Sequence, residues 1–145
     1  MVCAGFGIRA PRLNYDDYTD ATYATQAVLV LGHEPGERDP NSPFDGVVTS
    51  ESFTAWRKVL AAQQHGAIAV LFVADVHNHP GAANFEAAAR NYWPEKTPHL
   101  LSYTLAASAE RIRIPVVQIS HAVAASLSAW ARTTFAKLRE APDTA

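Results

Sequence analysis

The chain has 145 residues, of which 48% are hydrophobic and 18% charged, with a formal net charge of −2. That describes one globular domain with a core large enough to fold without staples, and excludes a disordered chain. The slight negative charge, without any long basic run, argues against nucleic acid as a main partner. The single cysteine, Cys3, excludes an internal disulfide framework or a cysteine-rich zinc module.

No apolar stretch reaches the roughly 18 residues a membrane-spanning helix needs, and the opening residues lack the basic n-region of a signal peptide. The chain reads as opening inside its first strand. Val2 to Ile8 (VCAGFGI) alternates small and apolar residues and predicts that strand, with Gly5 and Gly7 allowing a bulge or close backbone approach and Pro11 ending it. Asp16, Asp17 and Asp20 follow in a polar, aromatic stretch. It lacks the glycine and distal glutamate of a calcium loop, so these carboxylates are expected to accept hydrogen bonds from backbone N–H groups in a turn.

Ala27 to Leu31 (AVLVL) predicts a short buried strand. Residues 32–46 then hold three prolines and three glycines and form a long loop, with Phe44 as its anchor in the core. His33 and Glu34 are two metal-capable residues without a third nearby, so a solvated loop is expected there. A helix follows, beginning near Ser50 or Ser52. It gathers Phe53, Trp56 and Leu60 on one face, with Arg57, Lys58, Gln63 and Gln64 on the wet side. Gly66 occupies the position that favours a left-handed residue after a helix. Ala67 to Val73 is long enough for a strand buried on both faces.

Asp75, His77 and His79 alternate, so on an extended segment they share a face; this is the best metal-ligand pattern in the chain. The competing interpretation is a strand end followed by a His79-Pro80-Gly81 turn. Asn84 to Arg90 fits a short helix, Tyr92, Trp93 and Pro94 an aromatic knot, and Leu100 to Leu105 a further strand. In Ile112 to Ile119, Pro115 implies either that the strand begins properly at Val116 or that the proline lies on an edge. Ser120 is placed to cap a helix from His121 to about Leu138, with Val123, Leu127, Trp130, Thr134 and Leu138 on one stripe. No phosphate-binding glycine loop, G-x-S-x-G elbow or internal repeat occurs, and Cys3 has no histidine beside it, so it is expected to be a structural thiol.

Five segments taken together, GFGIRAPRLNYDDY, AVLVLGHEPGERDPNSPFDG, KVLAAQQHGAIAVLFVAD, HNHPG and IPVVQIS, resemble a protease-associated (PA) domain. The likeness spans about Val2 to Trp130. YDDY and SPFDG turn it toward the PA domain inserted in secreted two-zinc aminopeptidases, away from those of subtilases or receptor-type E3 ligases. Tyr23 to Gln26 reads YATQ where that family usually has a K-G-K-like turn.

The resemblance implies an α+β, mainly β fold: a small open β-barrel or sandwich-like arrangement with flanking helices. It would form a single domain over 1–138, with a polar, frayed tail at 139–145. It also implies a non-catalytic accessory role, no cofactor in this chain, and zinc in the peptidase domain of a parent protein. The implied partners are that peptidase domain or a peptide or protein substrate, in an extracytoplasmic or secreted setting.

Two functions follow. An accessory module would present Tyr15, Tyr18, Phe44, Tyr92 and Trp93 as a contact surface, although each is individually more suited to core or loop anchoring. A small metal-dependent hydrolase would instead use Asp75, His77 and His79 as ligands and Glu34 or Glu86 as general base.

Overall fold

The apolar runs assemble into a parallel sheet. A computed structural model of the chain describes residues 1–19, 22–44, 50–74 and 110–130. Strands β1 (Val2–Cys3), β4 (Ala27–Leu31), β5 (Ala69–Val73) and β6 (Val116–Ile119) lie side by side in the order β1-β4-β5-β6, and all three pairings are parallel. A separate antiparallel pair joins β2 (Arg9–Ala10) to β3 (Tyr15–Asp16). Parallel neighbours cannot be joined by a tight hairpin, so each needs a crossover. Helix α1 (Ala55–Gln64) lies within the connection from β4 to β5.

Side chains alternate across the sheet and build a core on each face. On one face Val28, Val30, Val70 and Phe72 pack with Val59 and Ala62 of α1 and with Tyr18 and Tyr23. On the other Leu29, Leu31 and Val73 cluster with Ala124 of helix α2 (His121–Trp130). Cover on both faces explains why AVLVL and AVLFV are apolar throughout.

The expected barrel or sandwich is therefore replaced by something simpler. Among the described residues the sheet is open, with β1 and β6 at its edges, because no pairing joins those two strands to close a barrel. The mixture of helix and strand stands, but the principal sheet is parallel and each face carries a helix.

Local differences have local causes. β1 is only two residues long, because the backbone turns away at Gly5 and Gly7, whose φ angles are +52° and +67°. Ser50 caps a 3-10 turn at Glu51–Phe53, its Oγ accepting from Ser52 N–H. α1 begins only at Ala55. Gly66 takes the left-handed conformation at φ +81°, as its position predicts.

β6 starts at Val116, and the carbonyl of Pro115 accepts from Val70 N–H at 3.0 Å. Ser120 Oγ caps α2 through Val123 N–H at 3.3 Å. Of the stripe expected on α2, Thr134 and Leu138 lie outside the described residues, Val123 is exposed and Leu127 is half-buried, while Ala124 and Ser128 are buried. Small residues there let helix and sheet approach closely. Among the described residues no helix is long and apolar enough to cross a membrane. The tail at 139–145 lies outside the described residues.

Candidate functional site

Ligands of open parallel sheets gather at the carboxyl ends of the strands. Here that edge is crossed by the loop leaving β4, and buried ionisable groups hold the loop in place.

Lys58 is the first. Helical periodicity suggested the wet side, yet the residue is 1% exposed. Its Nζ donates to the carbonyl of Leu31 at 3.0 Å and also to that of His33. It lies 5.6 Å from the Phe6 ring centroid. A long stem reaches from mid-helix past the end of β4, so the ammonium finds its acceptors although its Cα lies on the packed side.

Glu34 is the second. It is fully buried, and its carboxylate accepts from both the N–H and the Oγ–H of Ser50. That ties the start of the loop to the turn preceding α1. His33, with φ +65°, turns the other way and pairs through Nδ1 with Glu37 Oε1 at 2.8 Å. His33 and Glu34 thus diverge, and both side chains are spent on organising the loop. Buried Glu34 also corrects the expectation of a solvated loop.

Asp17 anchors the N-terminal segment. Oδ2 accepts from Ile8 N–H and Oδ1 from the Tyr15 hydroxyl, each at 2.9 Å. Burial pushes its pKa up from 3.8 to about 6, opposed by those two hydrogen bonds and by the charge of Lys58. Burial and the Asp17 carboxylate together hold the Tyr15 hydroxyl well above the ordinary phenol range, so it stays a donor. Asp16 accepts from Tyr18 N–H at 2.9 Å, the turn geometry expected of these aspartates. Asp20 lies outside the described residues.

The aromatic candidates separate. Tyr18 and Phe44 are 4% and 1% exposed and act as anchors. Tyr18 stacks on His65 with centroids 4.6 Å apart, and Phe44 meets half-buried Tyr15 edge-on at 5.0 Å. Tyr92 and Trp93 lie outside the described residues, as do Asp75, His77, His79 and Glu86.

Among the described residues no three histidine, cysteine or carboxylate side chains converge as metal ligands. Cys3 is half-buried, and burial raises its thiol pKa, which suits a structural thiol. His121, at the start of α2, sets its Nε2 2.7 Å from the carbonyl of Ala74 and so links the ends of β5 and β6.

Sequence reasoning missed Lys58 and Glu34 as buried residues. The signal for Lys58 was its place one residue before the apolar Val59-Leu60 pair. For Glu34 no local signal exists, since its partner lies sixteen residues away. Comparison of the chain with protein-family models, with curated proteins and with solved structures finds no match in any of the three.

Proposed function

We propose that the chain is a non-catalytic protease-associated accessory module of a zinc aminopeptidase-like protein. It would act on substrate access, protein contact or domain packing beside a peptidase domain that carries the zinc, in an extracytoplasmic setting. The observation that carries this is where the resembling segments go. KVLAAQQHGAIAVLFV is one helix, a left-handed glycine and a central strand, and VVQI of IPVVQIS lies against that strand in parallel register. GFGIRAPRLNYDDY packs on the same face through Tyr18, and Asp17 ties the segment to itself at Ile8 and Tyr15. Buried Lys58 and Glu34 and half-buried Asp17 all bond backbone groups in loops or at a strand end, which is the work of a scaffold that presents loops.

The test is calorimetric titration of the purified chain with zinc, paired with an aminopeptidase assay on a chromogenic amino-acid substrate. The expected result is no stoichiometric uptake and no turnover. Stoichiometric zinc with turnover that His77→Ala abolishes would overturn the accessory role and establish the hydrolase built on Asp75, His77 and His79.

A further inference from the structure

A cleft of about 390 Å³ opens along α1, with Lys58 and Ser52 also in its lining. Arg9 lines it together with Trp56, Arg57, Leu60 and Gln64 of α1, and with Arg111. Arg111 is held there by its own backbone. Gln63 Nε2 donates to the Arg111 carbonyl at 3.0 Å, and Gln63 Oε1 accepts from Arg113 N–H at 2.7 Å.

The charge is one-sided. Three guanidiniums line the cleft, and no carboxylate does among the described residues, in a chain whose net charge is −2. Arg9 pairs with Asp16 at 3.3 Å and Arg57 with Glu51, but these pairs are exposed and therefore weak, so either arginine can turn to a ligand at little cost. The Arg57 guanidinium lies 5.1 Å from the Trp56 ring centroid, so the indole keeps it beside the cleft, and giving up the exposed Glu51 pair would turn its N–H groups to a planar acceptor.

We propose that this cleft is a binding site for an acidic peptide segment, one with a carboxylate next to an apolar side chain. Guanidiniums recognise carboxylates through paired N–H donors. Trp56 and Leu60 provide an apolar floor for the neighbouring side chain, and the Gln64 carboxamide both donates and accepts, as a peptide backbone requires. The volume falls in the range of organic-ligand clefts and exceeds the needs of a bare inorganic anion. The site goes beyond the accessory role and does not depend on it, since a catalytic chain would carry the same cleft.

The experiment is calorimetry on the whole chain at low salt with three acetylated, amidated tetrapeptides: Glu-Leu-Glu-Leu, Gln-Leu-Gln-Leu and Lys-Leu-Lys-Leu. The acidic peptide is expected to bind, and the glutamine peptide to bind at least about tenfold more weakly. The lysine peptide should show no heat, and added salt should weaken the complex. Arg111→Glu and Arg57→Glu should each weaken the acidic peptide by about tenfold or more while leaving the far-UV spectrum and melting temperature near wild type. Should either reversal perturb folding, Arg111→Gln and Gln64→Ala carry the same expectation in milder form. No binding, equal affinity for the glutamate and glutamine peptides, or wild-type affinity in the variants would overturn the proposal. So would sulfate displacing the peptide at the same concentration as acidic peptide itself, which would mark a plain anion site.

Discussion

Lys58 shows how one side chain can sit on the wrong side of a helical wheel and still be satisfied. Its Cα belongs to the packed face, and its ammonium reaches the two carbonyls at which β4 ends. A buried cation is tolerable only with such partners. Lys58→Met keeps the stem's volume and strips the donor. The expected loss is about 2–4 kcal/mol in urea unfolding with an unchanged m value, since both carbonyls and the nearby Asp17 lose their cation. A loss under about 1 kcal/mol would show that water serves those carbonyls equally well.

At the scale of elements, the join between α1 and β5 lies against the turn into β4. Thr25 N–H donates to the Gly66 carbonyl at 2.9 Å, and both residues are left-handed, Thr25 at φ +62° and Gly66 at φ +81°. A β-branched residue is strained there, whereas glycine is not. A Cβ at Gly66 would also stand 3.1 Å from the Cα of Ala24. Gly66→Ala is therefore expected to cost about 1–2 kcal/mol. Thr25→Gly should shift the melting temperature upward, by less, because glycine also gains freedom in the unfolded chain. Equal signs for the two variants would contradict this account.

The same elements show what was legible beforehand. AVLVL, AVLFV and the Gly66 stop are local patterns, and they became β4, β5 and the end of α1. Proline fixed the start of β6 for the same local reason. The pair β2–β3 is two residues per strand, too short to produce alternation. The face α2 turns inward depends on how close it approaches the sheet, which favours Ala124 over Val123 and leaves no trace in periodicity. The open sheet was missed because strand order is a long-range property, and the expected barrel came from family likeness alone. For the candidate site, the turn role of Asp16 and the anchoring of Phe44 were readable, whereas Asp17 reaches back nine residues to Ile8 N–H. The burial of Lys58 and Glu34 was not, since their acceptors and donors lie far along the chain.

For the molecule as a whole, Asp17 writes a pH dependence into stability. A carboxyl raised from 3.8 unfolded to about 6 folded holds its proton more tightly in the native state. Its contribution is fully present below about pH 4 and is lost as the pH rises through about 6. Chemical denaturation across that window should show this group favouring the fold more at the acid end. Asp17→Asn retains an acceptor for Ile8 N–H and carries no charge. It should remove this part of the slope and stabilise the chain at pH 7 by about 1–3 kcal/mol. An unchanged slope in the variant would place the titration elsewhere.

The all-parallel order of the sheet also governs how the chain reaches its native state. Every strand pair in it closes a long connection, so none can nucleate as a hairpin. Synthesis from the N-terminus delivers β1 and β4 first, but only two register pairs join them. Five join β4 to β5, with α1 shortening the gap between them. The nascent chain thus gains a lasting sheet only once Val73 has emerged, and β6 then docks onto a template already formed.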